Sequence, residues 1–166
     1  MRFVDFLKAT VMLSAASSTF LAALTIVQVY QENQEVLIEV AIGWWLTASL
    51  IGTWVGRRNI ASPPIARLLA DARLQRSLPE LRPGRTLLNR LWPLLISTIG
   101  AAGLGVFLPQ VPAVAAGFAI IWALAWRRQE GAVAAIEERD GARFYVDKTA
   151  PFEPIRLVRT PGLMAG

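Results

Sequence analysis

The 36 residues from Leu91 to Trp126 contain no charged side chain, and near their middle the chain reads VFLPQVPAV. As one helix at 1.5 Å per residue this run would reach about 54 Å, far beyond a hydrocarbon core of roughly 30 Å. Tilt does not absorb so large an excess. Pro109 and Pro112 resolve the conflict. Each lacks a backbone donor and disfavours helix in the residue before it, so the pair ends one helix and starts another. Each half keeps about 18 residues, enough for one crossing. The run is expected to be a helical hairpin.

Two earlier stretches have the same character: Ala9 to Tyr30, which is uncharged, and Val36 to Val55, which carries only Glu39 near one end. Of the 166 residues 54% are hydrophobic and only 17% charged, with a mean hydropathy of +0.44. A soluble domain usually carries about 25% charge, so the deficit agrees with membrane spans. A cleaved leader in place of the first span is disfavoured. Its apolar run is too long, Asp5 interrupts the basic start, and no small-x-small site closes it.

The implied fold is an all-α integral membrane four-helix bundle. Residues 1–126 form the membrane domain, with spans at about 9–30, 36–56, 91–108 and 112–126 and a cytoplasmic loop at 57–90. Residues 127–166 form a cytoplasmic helix extension and a short extended tail.

Orientation follows from arginine. Arg57 to Arg90 holds eight arginines against Asp71 and Glu80, whereas Gln31 to Glu39 has three glutamates and no base, and the Pro109–Pro112 turn has no charge. Basic residues in short loops stay cytoplasmic, so both termini and the central loop are expected inside a bacterial plasma membrane. The indoles fit this placement. Trp54, Trp92, Trp122 and Trp126 fall at the inner ends of spans, and Tyr30, Trp44 and Trp45 toward the outer boundary. An interfacial anchor belt is the expected role, a ligand cage at Trp44 and Trp45 the alternative.

Small residues recur at helical spacing: Ala48, Gly52 and Gly56 in the second span, Ser97, Ala101 and Gly105 in the third, Ala115, Ala119 and Ala123 in the fourth. Such stripes let helix backbones approach closely in lipid. They predict packing within the bundle, with a homo-oligomer through Gly52 and Gly56 as the alternative.

Between spans two and three, Ser62 is placed to cap a helix with Pro63 or Pro64 in its first turn. From Ile65 to Leu78 the apolar residues recur near helical spacing, with Leu74 off the stripe and Arg67, Arg73 and Arg76 on other faces. Arg67 can pair with Asp71 one turn later. A basic amphipathic helix here is expected on the inner leaflet, against anionic lipids, or docked on a partner protein. After a helix continuing span four to Asp140-Gly141, the segments Arg143 to Asp147 and Ile155 to Arg159 read as short strands. Two strands alone are marginal, so they are expected to pack on the central loop, on another copy or on a partner. Arg143, Arg156 and Arg159 join the loop arginines as candidate lipid or partner contacts.

The chain has no Cys and no His, which removes thiol nucleophiles, imidazole bases and the usual zinc ligands. No catalytic, cofactor or metal motif is legible. The acidic run Glu137, Glu138 and Asp140 reads as a solvated helix end. The pI near 10.7 is accounted for by the arginines of the inner loops, without nucleic acid. The expected function is a non-catalytic accessory or scaffolding protein. An oligomeric pore or carrier lined by the hydroxyls of Thr10, Ser14, Ser17, Ser18 and Thr25 comes next, and a lipid-modifying enzyme third. The tail RFYVDKTAPFEPIRLVRTPG resembles that of small uncharacterised four-span membrane proteins of high-G+C, actinobacterial-type bacteria. That resemblance implies a source and assigns no chemistry.

Overall fold

The structure is a computed structural model that describes residues 1–32, 35–58, 60–74, 83–147 and 153–161. The elements are α1 (Phe3–Glu32), α2 (Glu35–Val55), α3 (Pro63–Ala70), β1 (Arg73–Leu74), α4 (Pro83–Gly105), α5 (Gln110–Trp126), α6 (Gln129–Asp140), β2 (Ala142–Val146) and β3 (Leu157–Pro161). Among the described residues four helices are long and apolar enough to cross a membrane. The long uncharged run breaks as expected, although α4 already ends at Gly105. Val106, Phe107 and Leu108 donate back to Gly103 and Leu104, which closes the last turn before Pro109 is reached. Pro112 sits in the first turn of α5, where a missing N–H costs nothing.

The chain divides into two compact units. One comprises Thr10–Arg57 and Trp92–Arg127. In it α2 lies along α5, and the small residues of α2 set the approach. A methyl on Gly52 would come 2.8 Å from Leu124 Cβ and 3.1 Å from Ile121 Cα, and one on Gly56 would collide with the Leu124 carbonyl oxygen. Gly52 and Gly56 are therefore filled by α5 of the same chain. Ala48 is fully buried on the same helix.

On α4, Ala101 and Gly105 are buried but Ser97 is exposed and returns its hydroxyl to the Leu94 carbonyl, 2.9 Å away. The packing stripe of α4 thus begins at Ala101, a correction to the expectation for Ser97. Leu21, Ala101 and Ala116 form a buried cluster with Trp45 and Val111 packed against it. Outward-facing Val40, Leu46, Leu50 and Trp54 leave α2 an apolar exterior, as lipid requires.

Trp44 and Trp45 do more than anchor. Their indole N–H groups donate to the carbonyls of Val114 and Ala113, at 3.1 and 2.9 Å, and the Trp44 ring fills the notch left by Gly117. They act as bolts between α2 and α5. The hydroxyls of Ser14 and Thr25 are buried on α1 and donate to the Thr10 and Leu21 carbonyls of their own helix.

The second unit gathers Met1–Ala9, Arg58–Leu91 and Arg128–Gly166. Its sheet has the order β1-β3-β2, with β2 antiparallel and β1 parallel to β3. The tail strands therefore pack on the central loop. Gly141 at φ 55° supplies the left-handed residue that ends α6 and starts β2. Phe3, Phe6, Leu7, Ile65, Phe144, Tyr145 and Leu157 contribute to the core. Each such side chain, fully buried, stabilises by about 1.5–3 kcal/mol.

The loop helix is shorter than its periodicity suggested. It stops at Ala70, and Arg73-Leu74 turns extended to pair with Val158 and Arg159. Leu74, already off the helical stripe, is the residue that leaves. Arg67 and Asp71 meet only through the backbone, where the Asp71 N–H donates to the Arg67 carbonyl. The Ser62 hydroxyl makes no cap. Ile65, on the apolar face of α3, is 1% exposed. Ile65 is thus turned into the protein, while Leu68 and Leu69 beside it are half-buried.

Candidate functional site

The second unit carries the arginines singled out in the sequence, and α6 shows what holds it together. Its buried stripe is Gln129, Ala132, Val133 and Glu137, the i, i+3, i+4, i+8 spacing of one helical face with a polar residue at each end. Gln129 reaches the loop: its Oε1 accepts from the Ser62 N–H at 2.8 Å and its Nε2 donates to the Ile60 carbonyl. Glu137 reaches the N-terminal segment and the tail. One oxygen accepts from Arg2 Nη2 at 2.7 Å, the other from the Phe144 N–H at 2.9 Å.

Glu137 is 7% exposed, so the expectation of a solvated helix end is corrected here. A buried carboxylate is tolerated when paired and hydrogen-bonded, and both of its oxygens are engaged. The hydrogen bond to Glu137 raises the Arg2 guanidinium above its ordinary value, against the opposing effect of burial. Glu138 and Asp140 do remain exposed, Asp140 pairing with its neighbour Arg139 at 2.8 Å. Nearby, the Met1 carbonyl accepts from the Val146 N–H, and Arg90 Nη1 donates to the Glu153 carbonyl. Arg2, Gln129 and Arg90 were not singled out from sequence, and Glu137 only as part of the acidic run, yet these side chains join the three stretches of chain.

The candidate contact arginines are distributed around this frame. Residues opposite one another in a sheet share a face. Arg73 stands opposite Val158 and Arg143 opposite Thr160, so both lie on one face of the sheet, on the strands flanking β3. Arg159 lies on the other face, between Leu74 and Phe144. Arg67 on α3, Arg73, Arg143 and Arg156 are exposed, and Arg159 is half-buried. Arg159 is thus set apart from Arg73 and Arg143, because successive strand residues alternate faces. Arg76 lies outside the described residues.

Among the described residues no group of three or more His, Cys, Asp or Glu side chains is placed to hold a metal ion. The Glu137 carboxylate is held by Arg2 and by a backbone amide. What the unit offers is a frame of helix and sheet with guanidinium groups on its outside. No protein-family model, curated protein or solved structure matches the chain.

Proposed function

We propose that this chain is a non-catalytic accessory or scaffolding protein of a bacterial plasma membrane. Both termini, the central loop and the tail lie on the cytoplasmic side, and the folded second unit presents its arginines to a partner protein or to anionic lipid. One observation carries the reading. Three separate stretches of chain, joined by Gln129 and Glu137, assemble a unit that leaves Arg67, Arg73, Arg143 and Arg156 exposed. The arginine bias of the loop between α2 and α4 supports the cytoplasmic placement.

The test uses full-length protein with Arg67, Arg73, Arg143 and Arg156 all changed to Gln. These side chains are exposed, so melting in detergent should hold. A co-purifying partner, or a preference for anionic over neutral lipid, should be lost. Retention of both in the substituted protein would remove the arginines from the function.

A second reading, an oligomeric pore or carrier for a neutral or anionic solute, draws on the inward placement of Ser14, Ser17 and Thr25. Solute flux from the pure protein in liposomes would favour it over the first.

A further inference from the structure

Leu50, Thr53, Trp54 and Arg57 follow one another at i, i+3, i+4 and i+7, so they share one face of α2 and of the turn that ends it. Gly56 and Arg57 donate back to Gly52 and Trp54, which carries the helical track just past Val55. Gly52 and Gly56, packed on α5, lie on the opposite side of the helix. The outward side is hollowed into an open groove of about 590 Å³, lined among the described residues by Leu50, Ile51, Thr53 and Trp54. Leu50 and Trp54 are 71% and 67% exposed. The Thr53 hydroxyl donates to the Ser49 carbonyl at 2.8 Å, so its polar atom is satisfied within the helix. Arg57 stands at one end of the groove, its guanidinium over the Trp54 ring and 5.8 Å from the ring centroid.

From this arrangement we propose that the groove is a binding site for an anionic phospholipid, with an acyl chain along Leu50, Ile51 and Trp54 and the phosphate on Arg57. The site lies wholly on α2 and the turn that ends it. It is separate from the arginines of the second unit, and it holds whichever side of the membrane this end of α2 faces.

Three physical reasons converge on such a lipid. At 1.5 Å per residue the 21 residues of α2 reach about 31 Å, one hydrocarbon thickness, so Arg57 just beyond the end falls at headgroup level. The groove wall is apolar, as an acyl chain requires, and the acids of α2, Glu35 and Glu39, are at the other end of the helix. A cation over a ring face is held without using its N–H donors, which phosphate oxygens can then take up. A second copy packed in parallel through this face would instead bring another Arg57 to the same end, and like charges repel.

Native mass spectrometry of the full chain in mild detergent tests the site. The protein is offered equal amounts of phosphatidylglycerol and phosphatidylcholine with the same acyl chains. It should retain phosphatidylglycerol in preference by about fivefold, the equivalent of ~1 kcal/mol for one arginine near a headgroup. Arg57→Gln should abolish the preference, and Arg57→Lys should keep most of it. Thr53→Trp fills the groove at unchanged charge and should lower retention of both lipids. Neither position is on the face packed against α5, so the variants should melt in detergent as the unchanged protein does.

Equal retention of the two lipids by the unchanged protein would overturn the proposal, and so would a preference that survives Arg57→Gln. If Thr53→Trp leaves lipid retention where it was, the lipid sits elsewhere and the groove is not its site. A lipid-free dimer that Thr53→Trp breaks apart would make a second copy the occupant.

Discussion

Arg2 and Glu137 are 135 positions apart in sequence, and their side chains meet at 2.7 Å with the carboxylate almost fully enclosed. The same carboxylate accepts from the backbone N–H of the β2 core residue Phe144. One glutamate therefore fastens the start of the chain and its tail to α6.

Removing that glutamate should loosen the tail. Glu137→Ala leaves the Arg2 guanidinium and the Phe144 amide without their acceptor and should destabilise the second unit by ~2–4 kcal/mol. Arg2→Gln should cost less, because the Arg2 side chain is 40% exposed and water can replace part of its environment. Limited proteolysis of the purified protein checks both. Faster cleavage within β2–β3 for Glu137→Ala than for Arg2→Gln is the expected order, and equal rates would deny Glu137 its role.

Gln129 should matter in the same way at the loop. Gln129→Ala removes the acceptor of the Ser62 N–H and the donor to the Ile60 carbonyl. A loss of ~1–3 kcal/mol is expected, read as earlier proteolysis near α3 with the helical spans unaffected. Unchanged cleavage there would mean that the contact is dispensable.

The glycines of the membrane helices should sort into two classes. Gly56→Ala drives a methyl into the Leu124 carbonyl and should sharply lower the melting temperature in detergent. At Gly103 on α4 a methyl meets nothing within 4 Å. Gly103→Ala should be neutral or stabilise by up to ~1 kcal/mol through helix propensity. Similar effects at the two sites would contradict the α2–α5 packing described here.

The notch at Gly117 yields a test by compensation. Gly117→Ala should displace the Trp44 indole and break its hydrogen bond to Val114. Combined with Trp44→Ala, the same methyl has room, so the double change should be less destabilising than the sum of the two single changes. Strict additivity would show that the two residues do not touch.

How much of this was legible in the sequence depends on which signal carries each feature. The four long helices and the break near Pro109 are written in uninterrupted apolar runs and in proline chemistry, which act locally. The tail strands and the stop at Gly141 are likewise local, through aromatic residues and a left-handed glycine. The loop helix was overread because periodicity over a few turns cannot register that Arg73 and Leu74 gain more by pairing with β3 than by extending α3. The frame of the candidate site was missed for a different reason. Glu137 and Gln129 look like surface residues until their positions on the α6 stripe are compared with Ala132 and Val133, which places polar groups where a core residue belongs. Arg2 carries no such mark, since its partner lies at the far end of the chain.

The central claim is that the arginine-bearing unit lies inside the cell while the turn between α4 and α5 faces out. In a protein without cysteine, Gln110→Cys and Arg143→Cys each create one reporter at an exposed position. Treating intact cells with a membrane-impermeant thiol reagent should label Gln110→Cys and leave Arg143→Cys unlabelled until the cells are lysed. Labelling of Arg143→Cys in intact cells would contradict the account.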